Sequence, residues 1–312
     1  ICIRFLQIIM KRKDIKKFLE ENRGYIKWGK GKLADKFKST YKEIDGIIRE
    51  IHFEIKELDE KDTDFKRMFF DIETSYNIVK AWRAGYNLNI NPGDIIHERA
   101  VICVSWKWEG EDKVYNLKWD KDQCDKQLLI NFNKQLEMAD EIIAHNGDRF
   151  DIKWLRTRCL MHGIPFRTYI KSLDTLRKVK SMFNFQSNKL DYIASVLGFG
   201  HKLPTGMKLW DDIILRKSEE AMIKMVEYCD HDVVLLEDVY NKLKDYIKPN
   251  THVGVHKGKG KHSCPQCGAS DVKYIKNTVT AAGTIKRHME CTECSADYVI
   301  PNTAFKKFIK GH

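Results

Sequence analysis

The chain has 312 residues, of which 43% are hydrophobic and 32% charged, with a formal net charge of +11. That length accommodates one good core and one or two small modules, and the composition carries neither a disorder nor a membrane signature. The charge is uneven: residues 11–50 hold 13 basic and 7 acidic side chains, residues 248–312 hold 11 and 4, and the middle is mildly acidic. Basic flanks around such a centre fit a polyanion captured by the flanks and processed between them; a merely solvated lysine-rich surface is the plainer alternative.

The opening "ICIRFLQII" is apolar, but it is too short to span a bilayer and lacks the small-residue cleavage site of a secretory signal. Met10, followed by "KRK", reads as the natural start, with residues 1–9 as upstream translated sequence. A cytoplasmic protein without a membrane partner is expected. Five cysteines (Cys2, Cys103, Cys124, Cys159, Cys229) are scattered, whereas Cys264, Cys267, Cys291 and Cys294 form two C-x-x-C pairs. In a reducing compartment, paired thiols point to metal rather than disulfides.

Residues 10–60 read as a helical module. Ile15, Phe18 and Leu19 are at helix spacing in a segment ending at Gly24, Leu33, Ala34 and Phe37 give a second short helix, and Ile44, Ile47, Ile48 and Ile51 line a third. Ser39 and Thr40 are candidate N-caps, with Glu43 completing an S/T-x-x-E box. The pattern resembles a helix-turn-helix, which would place its second helix in a nucleic-acid groove, although Lys38 stands where that turn usually has glycine. A plain helical hairpin is the alternative.

From 65 to 247 strand and helix signals alternate. "RMFFDIE", "AVICVSWKWE" and "KVYNLKW" read as three antiparallel strands, "EIIAHN" and "RTYIKSLD" as two more, with crossover helices between and after them and a long helix from about Ser218 to Tyr246. This predicts a mixed α/β sheet. Residues 248–263, rich in Gly and Lys without apolar periodicity, read as a linker.

Carboxylates recur at the ends of these elements. Asp71 and Glu73 sit at alternate positions of the first strand and so face one side. Two like charges held close need a cation or a retained proton. Asp151 follows Asn146 and Phe150 at a helix start, and Tyr228 and Asp232 lie four apart on one face of the long helix. Singly, these are ordinary caps and surface pairs. In this order, D-x-E, N-x-x-x-F-D and Y-x-x-x-D resemble the three motifs of DEDD-type 3′–5′ exonucleases, in the tyrosine branch. The likeness covers roughly 65–247 and includes "SLDTL" at Asp174 and "NKLDYIASVLG"; the nearest relatives look like predicted bacterial and phage exonucleases, some with a terminal zinc ribbon.

The resemblance implies a ribonuclease H-like mixed five-stranded sheet flanked by helices. It implies two Mg²⁺ or Mn²⁺ ions held by Asp71, Glu73, Asp151 and Asp232. Asp71 would bridge both ions, Glu73 and Asp232 would complete the one binding the attacking water, and Asp151 would support the second. Tyr228 would orient the water and help remove its proton, and Asn146 and Phe150 would position the terminal nucleotide. Simple core packing is an equal reading for Phe150. His145 and His231 receive no role. Lys202, Lys208 and Trp210 suit a phosphate backbone and a stacked base, or equally a loop anchored by a buried tryptophan.

The tail, 264–312, has C-x₂-C-x₂₃-C-x₂-C spacing. Four thiolates in paired knuckles match one closed, tetrahedral, structural Zn²⁺, and two short strands around "AAG" resemble a zinc ribbon. With Lys273, Lys276, Lys286, Arg287 and His288 nearby, its expected role is docking on nucleic acid or protein. The expectation is thus a metal-dependent exonuclease acting on DNA in preference to RNA, with a separate polymerase or replication complex as a candidate partner. A catalytically silent DNA-binding regulator and an RNA 3′-end processing exonuclease are the alternatives.

Overall fold

The structure, a computed structural model, describes residues 12–22, 25, 29–61 and 65–310. Met10 and Gly24, read above as a start and a helix stop, lie outside the described residues. The chain divides into two units, Ile1–Asp64 and Phe65–His312.

The first unit holds three helices: α1 (Arg12–Glu21), α2 (Lys30–Phe37) and α3 (Tyr41–Lys61). The residues that gave the helical periodicity make its core: Ile15, Leu19, Leu33, Phe37, Ile44, Ile47, Ile48 and Ile51, with Phe18, Tyr25 and Ala34 packed against them. The turn from α2 to α3 passes through the left-handed region at Lys38, φ 51°, the conformation glycine would adopt at least cost. The Thr40 hydroxyl accepts from the Glu43 amide at 3.1 Å, while the Glu43 carboxylate takes the Ser39 hydroxyl at 2.6 Å. Half of the expected capping box is present, and a neighbouring serine replaces the other half.

In the second unit, β1 (Arg67–Thr74) leads through a small pair, β2 (Ile78–Val79) and β3 (Ile95–His97), to β4 (Val101–Trp108) and β5 (Val114–Lys118). There follow α4 (Lys126–Met138), β6 (Glu141–Ala144), α5 (Asp151–Met161), β7 (Ser172–Asp174), α6 (Thr175–Met182), α7 (Leu190–Val196), α8 (Met207–Ile214) and α9 (Glu219–Leu243). The main sheet has the order β5-β4-β1-β6-β7. β1, β4 and β5 pair antiparallel, and β6 joins β1 and β7 in parallel. This is the mixed five-stranded sheet flanked by helices that the sequence predicts.

Alternation along β1 sorts its side chains. Met68, Phe70 and Ile72 enter a core with Leu128, Leu129 and Phe132 of α4 and Leu155 of α5. Phe69 enters the opposite core, with Val233, Leu236 and Tyr240 of α9. Asp71 and Glu73 share the parity of Phe69 and so face the α9 side. At the other end of β1, the buried Arg67 guanidinium donates to Glu141 at 2.9 Å and to Glu109 at 2.7 Å, between the rings of Phe65 and Tyr240. Pairing and stacking offset the desolvation of such a charge, and removal of one partner costs about 3–5 kcal/mol.

The strand read over "RTYIKSLD" is shorter than expected. Only Ser172–Asp174 pairs with β6; Ile164, Phe166 and Ile170 pack against the first core without joining a ladder, and Arg167 donates to the carbonyls of Leu136, Glu137 and Ala139. Residues 248–263 are tied down despite their linker-like composition, and contain a short helix, α10 (Val253–His256). The buried Thr251 hydroxyl donates to Glu141 at 3.0 Å, and Asn250 donates to the Ser172 carbonyl at 2.8 Å. A Cβ on Gly254 would stand 2.0 Å from the Ser263 hydroxyl oxygen, so this approach requires glycine. The tail forms a three-stranded sheet of order β10-β9-β8, from β8 (Val272–Val279), β9 (Ile285–Cys291) and β10 (Asp297–Pro301), one strand more than expected. The final helix α11 (Asn302–Lys310) places Ala304 and Phe305 against Val272, Met289 and Ile300.

Candidate active site and cysteine cluster

The acids converge at the carboxyl end of β1. One carboxylate oxygen each from Asp71, Glu73 and Asp232 lie within 4.8 Å of one another. Asp232 arrives on α9, whose Val233 and Leu236 are fixed in the core beneath, and is itself 1% exposed. Asp151, the first residue of α5, accepts from the Ile72 amide at 3.2 Å, which sets its carboxylate beside β1 between the two strand acids in sequence.

Four carboxylates so placed cannot all ionise freely in a buried site. Burial first, then the charge of Asp151, Glu73 and Asp232, pushes Asp71 well above the usual carboxylate range. Burial followed by Asp232 pushes Glu73 up to about 8, and burial is also the main reason Asp151 rises to about 7. Asp232 is raised as well, by burial, against the pull of Lys202. The Lys202 ammonium bonds one Asp232 oxygen at 2.7 Å, while the other oxygen, Oδ1, is buried without a partner. An all-oxygen donor set, an excess of negative charge and an orphaned carboxylate oxygen fit hard divalent cations such as Mg²⁺ or Mn²⁺.

Tyr228, one turn before Asp232, is half-buried with its phenol oxygen 3.4 Å from the Lys202 nitrogen. Burial and the neighbouring Asp232 raise its pKa, so it stays protonated at neutral pH. Asn146 has φ 71°, and its backbone amide donates to Asp174 at 3.0 Å. Asp174 also accepts from the Asp148 amide at 3.3 Å, and a Cβ on Gly147 would come within 2.4 Å of the Ala144 Cβ; the turn linking β6 to α5 is therefore tightly defined. Phe150 caps α5 and packs on the first core, with the Arg99 guanidinium 5.3 Å above its ring. His145 bonds Thr175 and the Asn188 carbonyl through its two ring nitrogens, a structural arrangement.

Two residues stand at the site in positions the sequence did not indicate. Lys202, read above as suited to a phosphate backbone, bonds Asp232 instead. Arg99 donates to the Thr74 hydroxyl at 2.6 Å and stacks on Phe150 and Trp154, which links the end of β1 to α5. Trp210 resolves its two readings in favour of an anchor, its indole donating to the Thr74 carbonyl at 3.1 Å. Lys208 is exposed and paired with Asp212.

The four tail cysteines bring their sulfurs within 4.8 Å of one another, with Cys264–Cys294 and Cys267–Cys291 each at 3.6 Å. Zn–S bonds of about 2.3 Å in a tetrahedron place sulfurs about 3.8 Å apart, so this group could hold zinc as a zinc ribbon does. Backbone amides of Gln266 and Ala269 donate to the sulfurs of Cys264 and Cys267, as suits thiolates. A third cluster, Cys124, Asp125 and His162, differs: Arg158, His162 and the Val101 amide already occupy both Asp125 oxygens.

Residues 97–244 match the family model described as the RNase H superfamily. Over 107 residues, 34% of this chain, the sequence is 32% identical to a DNA polymerase of Thermococcus hydrothermalis and 30% identical to one of Thermococcus kodakarensis. The match spans only 6% of the length of either polymerase. A solved structure of the family B DNA polymerase from the hyperthermophilic archaeon Pyrobaculum calidifontis aligns over 62% of this chain and 26% of its own, at 15% identity and a TM-score of 0.47. The mixed five-stranded sheet is thus RNase H-like in fold, and part of the chain is similar in sequence to the RNase H superfamily and to two Thermococcus DNA polymerases.

Proposed function

We propose that the chain is a metal-dependent 3′–5′ exonuclease that hydrolyses the terminal phosphodiester of nucleic acid, DNA in preference to RNA, releasing nucleoside monophosphates. The observation that carries this reading is the meeting of Asp71, Glu73 and Asp232 within 4.8 Å, with one Asp232 oxygen buried and unpartnered. Asp71, Glu73, Asp232 and Asp151 would hold two divalent ions. When bound, such ions supply Lewis acidity that activates water and stabilises the leaving oxygen. The protein's own groups do the rest. Tyr228, one helical turn from Asp232, would orient the attacking water and help remove its proton. Lys202 fixes the rotamer of Asp232 and offsets its charge. The turn held by Asp174 fixes Asn146, and the core fixes Phe150, as a seat for the terminal nucleotide.

The similarity to DNA polymerases supports a DNA substrate, and the tyrosine-branch motifs support 3′–5′ polarity. In this reading the helical unit and the cysteine ribbon dock nucleic acid, a separate polymerase or replication complex is a candidate partner, and the protein works in the cytoplasm. Among the described residues no helix is long and apolar enough to cross a membrane. A silent DNA-binding regulator is disfavoured, since nothing would preserve the costly burial of four acids without cations to hold. End-labelled single-stranded and duplex DNA and RNA, incubated with Mg²⁺ or Mn²⁺, should give a ladder shortening from the 3′ end, fastest on DNA. No degradation of any of these would overturn the proposal, and a preference for RNA would replace it with the 3′-end processing alternative.

A further inference from the structure

The connection between β2 and β3 leaves from the same end of β1 as Glu73 and carries an unusual surface. Every residue from Lys80 to Asn87 is exposed. Trp82 is 106% exposed and Tyr86 101%, and neither ring has a stacking, hydrogen-bonding or ion partner among the described residues. The segment from Lys80 to Asn91 holds Lys80, Arg83 and three asparagines, but no acid. Its root is firm: Val79 pairs with Ile95, the Lys80 amide donates to the Asp94 carbonyl at 2.8 Å, and the Arg99 amide donates to Asn77 at 2.7 Å. Arg99 in turn bonds Thr74, the residue after Glu73. Trp82 is three residues from the paired Val79, so it lies no more than about 10 Å from that anchor.

Two large rings held fully in water gain nothing for the fold. Rings spaced four residues apart with a guanidinium between them, on a basic and acid-free loop, match what unpaired nucleobases require: flat faces for stacking and cations for the intervening phosphates. We infer that the Trp82–Tyr86 loop is a stacking platform for unpaired bases of the strand whose end enters the carboxylate site. This rests on the nuclease reading for the identity of the strand. It adds a second contact region, remote from the terminal nucleotide, that favours single-stranded over duplex substrate.

The test is equilibrium binding of a fluorescent single-stranded decanucleotide to the full chain with Ca²⁺, comparing wild type with Trp82→Ala, Tyr86→Ala and the double variant. Each ring removed should weaken binding roughly ten-fold, with the salt dependence unchanged because no charge is lost. An abasic decamer should bind wild type and double variant alike. Lys80→Gln and Arg83→Gln should instead lower the slope of log affinity against log salt by about 0.7 each. In hydrolysis, the double variant should lower the ratio of decanucleotide to dinucleotide kcat/KM about as much. Equal decanucleotide affinity in wild type and double variant would overturn the platform, as would an equal loss on the abasic strand. The two readings fail separately. Binding that depends on the rings in a chain that never cuts refutes hydrolysis alone, and cutting with ring-independent affinity refutes the platform alone.

Discussion

The second unit contains two clusters of anionic ligands, and they differ in almost every physical respect. The four cysteines come from two knuckles joined by one β-hairpin, and their sulfurs sit 3.6 Å apart in pairs with amide donors already turned toward two of them. The four acids come from β1, the start of α5 and the middle of α9, across more than 160 positions of sequence. Four soft thiolates would close around one ion and leave no room for chemistry, whereas hard carboxylates would leave coordination positions open for water and phosphate. The lesson is that locality tracks purpose: a cluster that only has to fold a tail can be built from neighbours, whereas one that has to act must be assembled by a core.

The largest effect should separate the two clusters outright. Structural zinc contributes on the order of 10–16 kcal/mol of apparent binding energy in small modules, and the apolar core of the tail is small, with Val272, Met289, Ile300, Ala304 and Phe305 its buried residues among those described. Cys264→Ser should therefore lose zinc by elemental analysis and make residues 264–310 protease-sensitive. The β1–α9 core should keep its cooperative melt. Simultaneous collapse of both would show that the two regions are one folding unit.

The acids should show the opposite pattern. Asp71→Ala or Asp232→Ala should lower metal-dependent hydrolysis by at least about a thousand-fold, since metal electrostatics are worth several kcal/mol. The melting temperature should hold or rise, because a repelling buried charge is removed. Full activity in either variant would remove the candidate site from consideration.

The third cluster sharpens the contrast by being an acid site that needs no metal. Burial raises Asp125, but the Arg158 fork, the Val101 amide and His162 outweigh it and hold the carboxyl below its usual range. With the folded pKa below the unfolded one, the stabilisation is complete above about pH 4 and is lost as pH falls through the folded value. Asp125→Asn should cost about 3–5 kcal/mol at neutral pH by stranding Arg158. It should also flatten the loss of stability below about pH 4 in denaturant titrations; an unaltered acid limb would contradict the assignment.

Tyr228→Phe tests the finest distinction. If the phenol orients water without binding metal, kcat should fall about ten- to a hundred-fold while calorimetric Mn²⁺ affinity stays the same. Lost metal affinity would place Tyr228 among the ligands instead.

Much of this was legible in the chain. Apolar alternation gave β1, β4 and β5, and helical spacing gave the first unit's core to the residue. The Ser218 start of the long helix is a true cap, its hydroxyl accepting from Ala221. The failures share a cause. β7 is an edge strand whose approach, from Ile164 to Ile170, is apolar because it packs on a core, not because it joins a ladder. Residues 248–263 have no periodicity because they are held by single polar contacts, such as Thr251 on Glu141, that no pattern announces. Lys202 was visible as a lysine, but not as the cation that bonds Asp232, because thirty residues and a helix separate the two in sequence.

By itself the sequence determined the ligand types, the hard and soft sets, and the strand parity that puts Asp71 and Glu73 on one side, because these follow from side-chain chemistry and the two-residue repeat of a strand. Only the tertiary structure decided that Asp232 meets them there and that Asp151 bonds the Ile72 amide between them, that Asp125 is already satisfied, and that Trp82 and Tyr86 are left in water. Convergence and burial depend on how helices cross a sheet. That geometry comes from packing summed over the whole core, and no local run of residues encodes it.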